Sequence, residues 1–467
     1  MNVSLSETYD FVFIGAGPTS LESLRFVAMQ DTSRNLRIAV VSPDVLGIPK
    51  IQGEESAQKK APTGISSESL EKKRLLMFKH YSQAFFWGAS CLPTLDHETK
   101  APDFKKIFGE IASRWKVQAE EDAMSQLYSL NGTTLGSLQR KELANMVVGQ
   151  IENGKNFFIG HSRLAISTKG HDRCNLSGQC FTSCPSDSPW NPRKLLLEIL
   201  NDSPNIVLKE EMVDGIEQID SKWRISTSLG NSYIAENVVL SAGWDQTSKI
   251  LQGVSELKFA SSQSDLRGTA VTLIPVFIKK RTHRKDFEKS FVYHDLIHVQ
   301  PKNQLFTQIY LPTHEIAKRT ILELRILGRV KHLLSFQEIY NFTIGRHIGI
   351  AMVFSESTPI ETHKKLESKQ IALIKAGLRM SLRPIGGRVI NFKKKELNPK
   401  ESYHVGALGI LRERGHALMY GEEGVDPLLP GLHVVGPPLL PDIEPGPHTI
   451  SAAAISVVYL KRYFENV

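Results

Sequence analysis

Long apolar runs are missing from this chain. None reaches the ~18 residues that a membrane-spanning helix requires, so no transmembrane segment is expected. Residues 1 to 8 hold no apolar signal-peptide core, which makes the cytoplasm the expected location. Cysteine is scarce, 4 in 467 residues, which excludes a disulfide-built scaffold. No helix-turn-helix, zinc-finger or aromatic RNA-binding signature accompanies the formal net charge of +8, so nucleic acid is not an expected partner. What remains is a globular composition, 41% hydrophobic and 23% charged, long enough to bury a large core in two intertwined domains. Basic residues gather at Lys279–Lys285 and Lys393–Lys395. Such clusters are either solvated loops or attract an anionic substrate, for instance a phosphorylated or lipid-linked sugar, or a membrane surface.

The stretch from Tyr9 to Val41 carries the main signal. Phe11-Val12-Phe13-Ile14 is too short for a helix and suits a buried parallel strand. It runs into Gly15-Ala16-Gly17-Pro18-Thr19-Ser20, after which Leu21, Leu24, Val27 and Ala28 recur at helical spacing. Leu36 to Val41 is a second apolar run and completes a dinucleotide-binding βαβ pattern. Gly15 would make the tight turn, and Gly17 would admit a pyrophosphate to the helix N-terminus. Ser20 takes the third glycine's place, small enough for the helix to pack on the strand. The acidic residue that usually ends the second strand and holds ribose hydroxyls is displaced: Ser42 stands there, with Asp44 two residues late.

Residues 48 to 75 read as a long polar excursion, and 101 to 153 as helical without chemistry. The segment Phe85-Phe86-Trp87-Gly88-Ala89 is either a loop sliding past a flat ring system or a core aromatic cluster. Cys174, Cys180 and Cys184 cluster, and His171 could complete a metal site with them; the other reading is a structural turn with thiols reduced or occasionally oxidised. Strands follow at 206–208, 212–216 and 223–226. Another apolar run, Asn237 to Leu240, ends in Ser241-Ala242-Gly243, as a central parallel strand meeting a ligand would. Residues 268 to 358 predict a mostly antiparallel sheet with a helix over 314–340; His294, His298 and His347 read there as sheet or loop histidines. Near the end, His404 lies in a small-residue loop. Gly431 to Gly436 is a strand ending in glycine, and Gly446-Pro447-His448-Thr449 leads into a last helix from about Ser451 to Phe464. At a helix start the dipole favours neutral, base-competent His448.

In order, these segments resemble the glucose–methanol–choline family of FAD-dependent oxidoreductases. Gly15-Ala16-Gly17 matches its glycine loop, Phe86-Trp87-Gly88-Ala89 its stretch beside the flavin, and Ser241-Ala242-Gly243 with Thr247 and Leu251 its closing strand. Tyr403-His404-Val405-Gly406 is similar to the motif of the catalytic histidine, and Gly431 to Ile450 to the C-terminal flavin loop. The cysteine run resembles that of short members associated with sugar chemistry, with Ser177 and Ser183 replacing a cysteine and a glycine.

The resemblance implies an α/β fold, with a Rossmann-like FAD-binding domain assembled from residues 1–95, 155–265 and 400–467. A helical insertion over 96–154 and an α+β substrate domain over 266–399 with a mostly antiparallel sheet complete it. It implies FAD contacts from Gly15, Gly17, Pro18, Ser20, Asp44, Trp87, Gly88, Val213, Ala242, Gly243, Gly436, Pro437 and Thr449, and no metal. It also implies hydride removal from an alcohol carbon of a sugar-like small molecule, with His404 as base and His448 as its partner; the electron acceptor is open. Two further departures concern chemistry. Pro447 falls nearest the family's second catalytic position, and Gly436 stands where the family has aspartate. Rival readings are a flavin monooxygenase, another flavin dehydrogenase, or a non-catalytic flavin-binding partner protein in a biosynthetic complex.

Overall fold

The structure, a computed structural model, describes residues 7–31, 35–43, 158–161, 174–175, 186, 188, 192–254, 266–279, 296–300, 305–313, 316, 344–359, 368–383, 386–390, 395–397, 405–408, 429–436 and 449–466. Two sheets organise them, as the α/β reading expects.

The first sheet grows from the N-terminal unit. Strand β1 (Glu7–Ile14) leads to helix α1 (Pro18–Gln30) and then to β2 (Ile38–Val41), which pairs parallel with β1. Val12, Phe13, Ala39 and Val40 are fully buried, as a strand covered on both faces requires. Pro18 at the first helical position supplies the φ a helix needs and has no N–H to leave unpaired. Leu21, Leu24 and Val27, at helical spacing, carry the buried face of α1 onto the sheet.

Helix α2 (Pro192–Asp202) brings the chain to β4 (Ile206–Lys209), which adds parallel to β2 after β3 (Phe158–His161) has joined the other sheet. An antiparallel meander follows: β5 (Val213–Ile219), β6 (Lys222–Thr227) and β7 (Ser232–Leu240), with β7 parallel to β1. Strand β7 divides one edge between two partners. Its first half pairs with β6, and its second half, from Val238 to Leu240, pairs parallel with β15 (Leu432–Val434). Trp223, fully buried on β6, marks the division by donating its indole N–H to Pro430 O at 2.9 Å. Helix α5 (Thr449–Asn466) packs on α1, and its Phe464 stacks on Phe11 and meets Phe26 edge-on.

The second sheet has the order β12–β8–β11–β10–β9–β3, with β13 and β14 also on β8, every pairing antiparallel. Its strands are β8 (Leu266–Ile278), β9 (Leu296–Gln300), β10 (Leu305–Tyr310), β11 (Ile348–Pro359), β12 (Gly387–Val389), β13 (Lys395–Leu397) and β14 (Val405–Leu408). Alternate residues Ile274, Val276 and Ile278 share one face with Ile309, Ala351 and Val353, and α4 (Ser368–Leu382) covers it with Ile374, Leu378 and Leu382. Strands β3 and β14 lie within segments that the sequence assigned to the nucleotide unit. Helix α3 (Gly243–Gln252) packs against both β5 and β14. The expected insertion over 96–154 and helix over 314–340 lie outside the described residues, apart from the single residue 316. No described helix is long and apolar enough to cross a membrane.

Candidate functional site

The parallel strands end together. Register places Lys209, Val41, Ile14, Leu240 and Val434 side by side, so five strands finish on one row. Backbone bonds carry the row one residue further: Gly15 N–H to Val41 O at 2.9 Å, Ser241 N–H to Ile14 O at 2.9 Å, Val435 N–H to Leu240 O at 3.0 Å and Ser42 N–H to Lys209 O at 3.0 Å. Beyond such a row, open α/β sheets bind their ligands, because helix N-termini and loop amides face the space there.

Three loops leave this row as neighbours. Gly15 takes φ +104, and an added Cβ would stand 2.3 Å from Ser241 O and 3.1 Å from Ala242 Cα. The β1–α1 loop is therefore pressed against the β7–α3 loop, and only glycine permits it. Ser20 Oγ donates to Gly15 O at 2.6 Å, which secures the turn from the helix side. Gly17, the N-cap of α1, presents the opposite environment. Its φ is −74, and among the described residues no side chain caps the helix and an added Cβ meets no atom within 4 Å. The start of α1 is thus flanked by a backbone that carries no side chain and has room on that side, where a pyrophosphate fits. Gly243 turns with φ +77 into α3, and Gln246 in the first turns of that helix donates to Val213 O at 2.7 Å, bringing Val213 to the same corner.

Gly436 closes the other side of the row with φ +105, its N–H bound to Ser456 Oγ at 2.9 Å on α5. Thr449, buried, opens α5. Gly15, Gly17, Pro18, Ser20, Val213, Ala242, Gly243, Gly436 and Thr449 therefore belong to one end of one sheet and its flanking helices. Asp44, Trp87, Gly88, His404, Pro437 and His448 lie outside the described residues, as do Cys180 and Cys184 of the cysteine cluster. His347 stacks on Phe277 with ring centroids 5.0 Å apart, and its Nδ1 lies 2.9 Å from Ile278 O.

Two buried ionisable groups near the row have no place in the sequence-based site. Glu22 of α1 is 3% exposed; Arg25 bonds its Oε2 at 3.0 Å, and Oε1 has no hydrogen-bond partner among the described residues. Burial drives its pKa up to about 7 against the pull of Arg25. His433, in the middle of β15, is fully buried, and burial lowers its pKa to about 3. Its Nδ1 lies 2.8 Å from Tyr459 Oη and its Nε2 3.2 Å from Asn237 Oδ1. Tyr463 also donates to Asn237 Oδ1, at 2.8 Å, while Asn237 Nδ2 donates to Asp10 O at 3.3 Å. Since Asn237 Oδ1 only accepts, the imidazole proton resides on Nε2, and Nδ1 accepts from the Tyr459 hydroxyl. The only sequence signal for this network was a polar residue inside an apolar strand.

No protein-family model matches the chain, and no curated protein matches it. Among solved structures, one of formate oxidase shares the fold with a TM-score of 0.51 at 11% identity, the match covering 99% of each chain. Two formate oxidase variants from Aspergillus oryzae, solved for the effect of mutation on FAD modification, also match. One has a TM-score of 0.48, 10% identity and 99% coverage of both chains, the other 0.42, 12% and 98% of both.

Proposed function

We propose that the chain is an FAD-dependent oxidoreductase that oxidises an alcohol group, of a sugar or sugar-containing metabolite, in the crevice beyond the strand-end row. The observation that supports this best is the pairing of opposites at the glycine loop. Gly15 is packed against Ser241, while a Cβ added at Gly17 two residues on, at a helix start that no side chain caps, meets no atom within 4 Å among the described residues. A chain needs that combination to carry a nucleotide pyrophosphate on its backbone. The fold shared with formate oxidase agrees with it.

Bound there, FAD supplies the hydride acceptor. The chain's own tasks are to hold the substrate carbon against it and to move one proton. His404 takes the hydroxyl proton in this reading, and His448 holds the hydroxyl oxygen. His404→Ala is expected to keep its flavin and to lose ~100- to 10,000-fold in the rate of flavin reduction by substrate. Stopped-flow reduction under anaerobic conditions measures this, and an unchanged rate would refute the assignment.

The reading as a whole is tested by the visible spectrum of the purified protein and by bleaching of its flavin bands without oxygen. The candidates are polyols, nucleotide- and lipid-linked sugars, and formate. A second reading, flavin bound without alcohol oxidation, draws on Gly436: its left-handed φ of +105 suits glycine where the family carries aspartate. Flavin bands that no candidate bleaches favour this second reading, and absent bands sink both.

A further inference from the structure

Helix α5 is fixed to the first sheet by a ladder of polar contacts in an otherwise apolar interface. Ser456 accepts the Gly436 N–H at 2.9 Å and donates to Ala452 O at 2.7 Å. Tyr459 meets His433 and Tyr463 meets Asn237, both at 2.8 Å. Residues 456, 459 and 463 lie on one face of the helix at i, i+3 and i+7. Ala452, Ala454 and Leu460, fully buried around them, contribute burial without direction, and on their own would tolerate small slides along the axis. Hydrogen bonds are directional and fix that axial position.

The contacts also show which way α5 runs. Ser456 is level with Gly436 beyond the end of β15, and Tyr459 is level with His433 inside it, so the helix runs against the strand. Its first residue, Thr449, therefore projects about 10 Å past Gly436, at 1.5 Å per residue over seven residues. The positive end of α5 overhangs the crevice that α1 also faces.

We infer that Ser456 is a positioning residue: through Gly436 it sets the overhang of α5, and with it the affinity and electronic state of the flavin held beneath. The inference rests on the FAD reading above. Its hydroxyl proton is committed to Ala452 O, which aims a lone pair at the Gly436 N–H. The φ of +105 at Gly436 turns that N–H out of the strand toward the helix. Losing the hydroxyl removes the rung nearest the N-terminus and leaves Tyr459 and Tyr463 to hold the helix further along, so that its first turns lose their register with Gly436. The field of a helix terminus falls off within a turn.

The experiment compares the full-length protein with Ser456→Ala, Ser456→Cys, Ser456→Thr and, as a control for stability alone, Ile374→Val beneath the second sheet. Flavin dissociation constant, midpoint potential, visible spectrum and melting temperature are measured for each. Ser456→Ala is expected to weaken flavin binding about tenfold, with a shifted potential and flavin band. Ser456→Cys, of similar volume but a poor acceptor, gives a smaller change in the same direction and serves if the alanine variant fails to fold. Ser456→Thr, which keeps the oxygen, restores the unsubstituted values. Ile374→Val lowers the melting temperature and leaves the flavin unchanged. Position-456 variants that behave as Ile374→Val does, less stable but with unaltered flavin, overturn the inference while leaving the FAD reading intact. Unsubstituted protein that binds no FAD overturns both.

Discussion

Gly15→Ala is expected to strip the protein of flavin and to lower its melting temperature, whereas Gly17→Ala strips the flavin alone. The two glycines are separated by one residue and differ in what surrounds them. At Gly15 a methyl group would meet backbone on every side: Ser241 O at 2.3 Å, Ser241 C at 2.8 Å and Ala242 Cα at 3.1 Å. None of these atoms can swing aside, and φ +104 is itself unfavourable for alanine. Strain and overpacking together cost roughly 3–5 kcal/mol, a loss of about 3–5 °C in melting temperature for 467 residues. The β1–α1 and β7–α3 loops must part, which dissolves the corner on which a pyrophosphate would rest. At Gly17 the φ of −74 is open to any residue and the methyl meets nothing among the described residues. The flavin-free protein should therefore change by no more than about 1 kcal/mol, because the smaller unfolded freedom of alanine is set against its poorer fit at a helix N-cap. If a pyrophosphate approaches that backbone, the same methyl intrudes on it, and affinity falls about tenfold or more. Melting curves of flavin-free protein and flavin titration of each variant give the answer. Full flavin affinity in Gly17→Ala would remove the nucleotide from this loop.

That contrast shows what kind of structure a sequence reveals. Strand β1, helix α1 and strand β2 are local patterns, an apolar run and a 3.6-residue repeat split by glycines, and they form where the pattern puts them. Helix α5 likewise spans Thr449–Asn466, close to its expected bounds. Three described helices escaped, α2, α3 and α4, the first and last of them although their repeats were present. Leu195, Leu196 and Ile199 carry α2, and Ile371, Ile374, Leu378 and Leu382 carry α4, both buried as a single stripe in otherwise polar sequence. What no local pattern encodes is partnership across the chain. The division of the β7 edge between β6 and β15 depends on strands from distant segments, and His433 finds its partners 26 and 196 residues away. The glycines of the site were legible as breaks in apolar runs. That Gly15 is packed and Gly17 open followed from the neighbours that pairing brought to each.

His433 and Glu22 should give the protein opposing pH dependences that cancel in the unsubstituted chain and appear when either group is removed. His433 is held neutral, with Nε2–H given to Asn237 and Nδ1 filled by Tyr459, and its pKa is lowered by burial from 6.5 to about 3. Below pH 6.5 the unfolded chain binds a proton there that the folded chain refuses. The stability due to His433 is thus complete above pH 6.5 and lost as pH falls toward 3. Glu22 behaves in the reverse sense: burial raises its pKa from 4.5 to about 7, so the folded chain keeps a proton that the unfolded chain releases. Its stability is complete below pH 4.5 and lost as pH rises toward 7. Each slope is about 1.4 kcal/mol per pH unit where only one state holds the proton. Between pH 4.5 and 6.5 the slopes are opposite and nearly equal, and their sum is flat. Glu22→Gln, neutral and of the same shape, is expected to expose the histidine: stability then falls by about 1–2 kcal/mol for each pH unit down through that window. His433→Gln exposes the glutamate, and stability falls by a similar amount for each unit upward. The double variant returns to a flat profile from a changed baseline. Denaturant unfolding at pH 4.5, 5.5 and 6.5 for the four proteins measures the slopes, and background titrations common to all four drop out of the differences. Identical slopes in the unsubstituted chain and both single variants would mean that neither group is held in the folded protein as its burial implies.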